Sequence, residues 1–227
     1  MRDIHKHKRV NDILLGPLER PALQWLAAHM PKWVKPDTCT IFGTVGAVVI
    51  LASYAMSNYD RNFLWLASLG FVINWFGDSL DGTLARYRHI ERPIYGFYID
   101  HTTDAVNEMM IILGLGLTPF VSFHVASLTL IAYLLLSLLV FIRTCVTGEF
   151  KISYSRLGPT EIRVLAILLN TVMFFAGVQL LSIELGLLGQ FNLTPYDLVV
   201  GAVALLLFIF FVITAAQEAI QLAKADQ

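Results

Sequence analysis

Six ionisable side chains sit in or beside strongly apolar sequence: Asp78, Asp81, Arg86, Asp100, Asp104 and Glu108. Ionisable residues inside membrane segments are rare and usually functional. Positions three and four apart share a helix face, so Asp78 with Asp81, and Asp100 with Asp104, each present two carboxylates in one direction. Four carboxylates gathered in a partly dry site repel one another and take up protons unless cations neutralise them. All-oxygen ligation favours Mg²⁺, Mn²⁺ or Ca²⁺ over zinc, which prefers Cys and His. Carboxylate pairs, a divalent ion and a nearby Arg are the parts of phosphoryl transfer, where the work is positioning and charge stabilisation. Gly82, Ala85 and Gly96 lie along the same stretch and allow close approach of a nucleotide or a backbone. Small residues equally ease helix packing in membranes, and for any one of them both readings stand.

The elements that must position these residues are membrane helices. The chain has 227 residues, of which 56% are hydrophobic and only 15% charged, and its mean hydropathy is +0.66. Soluble domains carry roughly 25% charged residues. A spanning helix needs about 20 mostly apolar residues, and six segments qualify: 38–54, 63–76 running on past Asp78, 99–117, 121–142, 164–181 and 198–215. The second and third contain the aspartates at their facing ends, so those turns must face protein. The expected fold is therefore an all-α integral membrane protein with six transmembrane helices.

Placement of Lys and Arg tests this layout, because cytoplasmic loops collect positive charge. Of the 16 Lys and Arg, all but Arg61 fall on one side. Both termini and the aspartates are accordingly expected on the cytoplasmic side. Residues 1–35 are read as a cytosolic tail with an amphipathic helix over 11–34, carrying Trp25 and Trp33, and residues 36–227 as the catalytic domain. Such a helix suits the membrane interface; a surface helix packed on the bundle fits equally. No short apolar stretch with a small-residue cleavage site follows the charged start, so no signal peptide is expected. Cys39 and Cys145 fall near the cytosolic helix ends, where thiols stay reduced. The formal net charge of −1 by itself says nothing about partners, and no nucleic-acid partner is expected.

Taken together, Asp78-Ser-Leu-Asp81-Gly82-Thr-Leu-Ala85-Arg86 and Gly96-Phe-Tyr-Ile-Asp100-His-Thr-Thr-Asp104 resemble the signature of the CDP-alcohol phosphotransferase family, D-x-x-D-G-x-x-A-R followed by G-x-x-x-D-x-x-x-D. Pro36-Asp37-Thr38-Cys39-Thr40 is similar to the family's P-N-x-x-T entry to the first helix, with Asp37 in place of the usual Asn. The spacer between Arg86 and Gly96 has nine residues where the common pattern is one shorter. The resemblance implies transfer of a substituted phosphate from a CDP-linked donor to an alcohol, with release of CMP. It implies that Asp78, Asp81, Asp100 and Asp104 hold two ions of Mg²⁺ or Mn²⁺. It places Gly82, Ala85, Arg86 and Gly96, with Thr40, around the CDP moiety. Asp104 becomes the candidate general base, beside Asp100, and a homodimer is implied as the assembly.

Two short features resemble the choline/ethanolamine phosphotransferase branch: the D-H-x-x-D of Asp100-His101 to Asp104, and Thr147-Gly148 followed by Thr160-Glu161. His101 lies off the Asp100/Asp104 line, and a local hydrogen bond fits it as well as a functional role. Donors of both kinds, CDP-diacylglycerol and a CDP-amino alcohol, remain open at this point. The loop 143–163 mixes cations that would suit a phosphorylated acceptor with Glu161, which would suit an amino alcohol. The competing class is a transporter using the aspartates as a proton or cation relay. It predicts acidic residues spread through the membrane depth, whereas the main group here gathers at one end.

Overall fold

Among the described residues, five of the seven helices begin on, or one residue before, a proline, whose fixed φ and missing N–H cost nothing in a first helical turn. In a computed structural model describing residues 14–147, 158–184 and 190–225, the helices are α1 (Gly16–His29), α2 (Pro36–Met56), α3 (Phe63–Tyr87), α4 (Pro93–Gly116), α5 (Phe123–Thr147), α6 (Pro159–Ala176) and α7 (Pro195–Ala225). The start of α7 is further fixed by a reciprocal cap: Thr194 N donates to Asp197 Oδ2 at 2.9 Å and Asp197 N to Thr194 Oγ1 at 3.0 Å, which satisfies two of the free N–H groups of a helix start.

Among the described residues, α2, α3, α5, α6 and α7 are long and apolar enough to cross a membrane. The expectation of six such helices is met in five. Asp100, Asp104 and Glu108 in α4 make it the exception, since its polar turns face protein. The segment expected to run from 164 to 181 stops at Ala176, because Gly177 adopts φ +70 and ends α6. Beyond it an antiparallel pair, β1 (Leu181–Glu184) and β2 (Gln190–Leu193), pairs Leu181 with Leu193. This hairpin is an addition to the expected all-helical layout.

The central pair is α2 and α3, and glycines let their backbones touch. A Cβ at Gly77 would lie 2.2 Å from Gly43 N, and one at Gly46 would lie 2.5 Å from Asn74 N. Side chains cannot enter such a contact, which is the usual reason for small residues between membrane helices. The contact sets Thr40, at the start of α2, against Asp81 on α3. Next to it, α4 packs on α2 and α5, α6 on α3, and α7 on α5. Ile50, Tyr54, Leu64, Phe71, Phe120 and Met173 form the main apolar core.

α1 is docked on the bundle. Leu23 and Ala27 are buried with Leu80 and Leu84 of α3. Glu19 Oε1 accepts from Trp75 Nε1 (2.8 Å), Ser79 Oγ (3.1 Å) and Thr160 Oγ1 (2.8 Å), tying α1 to α3 and α6. Leu18 and Trp25 on the other face are 75% and 61% exposed, an apolar surface turned away from the protein. Residues 11–13 of the expected amphipathic segment, and the tail before it, lie outside the described residues, as does 148–157 of the loop 143–163.

Candidate active site

The first aspartate pair belongs to the last three turns of α3, and the second to the first half of α4. The turn between them is short: Arg88 ends α3, His89 takes φ 55, and α4 restarts at Pro93. The antiparallel return brings the pairs together. The Asp104 and Asp78 carboxyls are in hydrogen-bonding contact. Asp81 lies within electrostatic reach of both Asp78 and Asp100. All four aspartates expected at the site therefore occupy one locus.

Each is held by its surroundings. Asp81 Oδ2 accepts from Thr40 Oγ1 at 2.7 Å, and Asp81 Oδ1 accepts from the Gly82 N–H at 2.5 Å. Thr40 is thus placed on Asp81, and its hydroxyl also reaches Pro36 O at 3.3 Å. Asp78 Oδ2 accepts from Arg163 Nη2 at 2.6 Å, while Arg163 Nε donates to Asn74 Oδ1 at 2.9 Å. Asn74 Nδ2 in turn reaches Gly43 O at 2.9 Å, so α2, α3 and α6 all bear on one carboxylate. Arg163 Nη1 is buried with no hydrogen-bond partner among the described residues.

Ligand atoms of Asp100, His101 and Asp104 all lie within 4.8 Å of one another, a grouping able to hold a metal ion. His101 Nδ1 stands 4.0 Å from Asp100 Oδ2, and its ring meets Phe97 edge to face, with centroids 4.3 Å apart. The donor set fits a hard divalent cation: carboxylates in contact, with the Arg163 guanidinium on Asp78. Like charges at such range raise one another's energy strongly unless a cation intervenes.

Of the expected nucleotide-side residues, Arg86 and Gly96 are exposed while Gly82 and Ala85 are partly buried. Arg86 is exposed and its Nη2 donates to Thr83 Oγ1 at 3.2 Å. Gly82 faces the Arg86 guanidinium, with 3.2 Å from a notional Cβ to Nη1, whereas nothing lies within 4 Å of one at Gly96. Ala85 is partly buried on the same helix. The structure does not join Gly96 to the other three by contact. Asp37 pairs with Arg92, whose guanidinium also stacks 4.1 Å above Tyr95. The aspartate standing where the motif usually has Asn thus links α2 to the start of α4.

Arg163 and Asn74 are the residues that motif reasoning passed over. Their signals were present: a cation inside the first turns of an apolar helix, and an amide one turn before Asp78. Glu108, noted in the ionisable cluster, forms a hydrogen bond with Tyr133 Oη on α5. Glu161 does not reach the carboxylates; it accepts from Gly158 N (2.9 Å) and Leu15 N (2.7 Å), capping α6 and holding α1.

A family model described as CDP-alcohol phosphatidyltransferase matches residues 33–209, a span that includes every aspartate of the site. The chain belongs to that family. Among curated relatives of this CDP-alcohol phosphatidyltransferase chain, cholinephosphotransferase 1 of Gallus gallus is 25% identical over 198 residues, covering 82% of this chain and 57% of the relative. Cholinephosphotransferase 1 of Danio rerio is 26% identical over 197 residues, 82% of this chain and 50% of the relative. Phosphatidylinositol phosphate synthase of Cutibacterium acnes is 34% identical over 94 residues, 40% of each chain. The chain spans about half the length of the cholinephosphotransferases it matches.

Proposed function

We propose that the chain is a phospholipid-synthesising transferase that moves a substituted phosphate from a CDP-linked donor to an alcohol and releases CMP. The observation that carries this reading is the convergence of two carboxylate pairs from α3 and α4 in a chain of the CDP-alcohol phosphatidyltransferase family.

In this reading Asp78, Asp81, Asp100 and Asp104 hold two divalent ions, Mg²⁺ or Mn²⁺. When bound, the ions neutralise charge building up on the phosphates and favour the ionised acceptor hydroxyl. Thr40 and the Gly82 N–H orient Asp81 through both its oxygens. Arg163 holds Asp78 from α6 and offsets one negative charge. Gly82, Ala85, Arg86 and Gly96 line the CDP moiety, with Arg86 offering paired donors to a phosphate. The acceptor oxygen forms a bond to the β-phosphorus and the bond to the bridging oxygen of CMP breaks. The hydroxyl proton passes to Asp104. Six crossings by α2 to α7, with both termini and the site on the cytoplasmic side, place the chemistry where a soluble nucleotide meets the bilayer. The exposed apolar face of α1 lies in that interface, and a homodimer is the proposed assembly.

The test is CMP release by purified protein across a matrix of CDP donors and acceptors, with Mg²⁺, with Mn²⁺ and after chelation. Release that requires the metal and disappears in Asp100→Asn, with the variant still monodisperse, is the expected outcome. Activity like wild type in Asp100→Asn would sink the proposed site.

A further inference from the structure

α1 has 14 residues, too few to cross a bilayer, which takes about 20. It is nonetheless fastened to two helices long and apolar enough to span, α3 and α6. Three donors meet on one oxygen of its Glu19. Trp75 Nε1 and Ser79 Oγ donate to Oε1 from α3, at 2.8 and 3.1 Å, and Thr160 Oγ1 donates from α6 at 2.8 Å. The helices joined in this way also carry the two members of one pair in the site. Ser79 is the chain neighbour of Asp78, and Thr160 lies three residues before Arg163, on the same helix face. Arg163 returns to α3 through Nη2 to Asp78 Oδ2 (2.6 Å) and Nε to Asn74 Oδ1 (2.9 Å). The links close a ring that runs from Glu19 through Ser79 and Asp78 to Arg163 and back by Thr160. α3 and α6 are therefore stitched together on two neighbouring levels, and the second level is a bridge through α1. The docking of α1 has other supports. Leu15 N donates to Glu161 Oε1 at 2.7 Å, Arg88 Nη2 donates to Met30 O and Pro31 O at 2.9 Å each, and Leu23 and Ala27 are buried against α3. Glu19 is thus separable from the attachment of its own helix.

We propose that Glu19 is a positioning residue for the transfer reaction: it fixes Arg163 against Asp78 by holding the α3 and α6 turns beside them at one separation. This rests on the transfer reading above. Arg163 reaches Asn74 and Asp78 at once only if α6 stands at one height and rotation along α3. A misplacement of about 1 Å in such a support can cost on the order of a hundredfold in rate. The Ser79 and Thr160 hydroxyls and the Trp75 indole, which can only donate, find in the Glu19 carboxylate an acceptor they share, and sharing it sets that height. Asp78 is then held in one orientation among the other aspartates. Glu19 touches neither the aspartates nor the proposed nucleotide residues in the contacts above, so it acts through the Arg163–Asp78 pair. In this role α1 belongs to the scaffold of the site.

The test is a double-mutant cycle between Glu19 and Arg163 in the full chain, read by Mn²⁺ binding as well as by CMP release. Binding is followed by the electron paramagnetic resonance signal of free Mn²⁺. Glu19→Leu removes the shared acceptor and should weaken Mn²⁺ binding about tenfold, the size of one net hydrogen bond. kcat should fall in parallel, with the donor KM unchanged. Glu19→Gln, whose amide oxygen still accepts, should recover most of both. Added to Arg163→Gln, Glu19→Leu should cost nothing further, because residues acting through one contact are not additive. Leu23→Ala loosens the apolar seat of α1 without touching the bridge; it should lower the unfolding temperature and leave Mn²⁺ binding as in the wild type. Where Glu19→Leu is not monodisperse, Thr160→Val deletes the α6 arm alone and should weaken Mn²⁺ binding about fivefold. Unchanged Mn²⁺ binding in these bridge variants, or effects of Glu19→Leu and Arg163→Gln that simply multiply, overturn the proposal. Equal weakening in Leu23→Ala overturns it as well, since docking of α1 would then suffice. Wild-type protein that releases no CMP from any donor and acceptor removes the transfer reading, and the Mn²⁺ cycle still decides whether Glu19 sets Asp78.

Discussion

Arg163 shows how a single side chain can tie a proposed metal-holding carboxylate, Asp78, to the scaffold. Its guanidinium spans Asn74 and Asp78 with two donors in a fixed fork, an arrangement that a lysine ammonium cannot reproduce. Removing one partner of a buried pair leaves the other charge uncompensated, which costs more than the pair itself contributes. Arg163→Gln is therefore expected to lower CMP release at least tenfold, and Arg163→Lys to recover only a small part of it. Metal binding followed separately, by the shift in unfolding temperature with Mn²⁺, should also change in both variants, because Asp78 loses its orientation. Retained activity and an unchanged Mn²⁺ shift in Arg163→Gln would show that Asp78 needs no help from α6.

At the level of elements, the glycines separate into two kinds. Gly77 is a packing residue: a Cβ there would meet Gly43 N at 2.2 Å and Cys39 O at 2.5 Å, both backbone atoms that cannot swing aside. Gly77→Val should push α2 from α3, lower stability by about 3 kcal/mol, the upper end of ordinary overpacking costs, and abolish activity along with the fold. Gly96 has open space around it and lies in the first turn of α4. Gly96→Ala should raise stability slightly, by about 0.5 kcal/mol or more from helix propensity, while raising KM for the CDP donor. Thermal unfolding beside donor kinetics distinguishes the two glycines. Unaltered donor kinetics in Gly96→Ala would remove Gly96 from the nucleotide pocket.

For the whole molecule, the decisive matter is which side the aspartates face. Cys145, near the end of α5, is exposed, whereas Cys39 is buried beneath α1. The proposed sidedness puts Cys145 with the cytoplasmic ends of the helices. A membrane-impermeant maleimide should therefore label Cys145 in inside-out vesicles and not in right-side-out ones, with Cys39 silent in both until the protein unfolds. The reverse pattern would invert the topology and take the site away from the cytoplasmic nucleotide pool.

Much of this architecture was written in local chemistry. The apolar runs, the prolines that open helices and the i,i+3 and i,i+4 aspartates depend on residues near one another in the chain, so helix positions and the two carboxylate pairs could be read directly. The end of α6 was misplaced because hydropathy continues past Gly177, and a single backbone conformation, φ +70, outweighs it. The contacts of Arg163 with Asp78, Thr40 with Asp81 and Tyr133 with Glu108 join residues 85, 41 and 25 positions apart. Such contacts depend on which helices pack and at what rotation, and only tertiary structure decides that. The sequence by itself determined that four aspartates would form two pairs on membrane helices. The close approach of α2 and α3, and the packing of α4 against α5, decided that the pairs meet and which outside residues hold them.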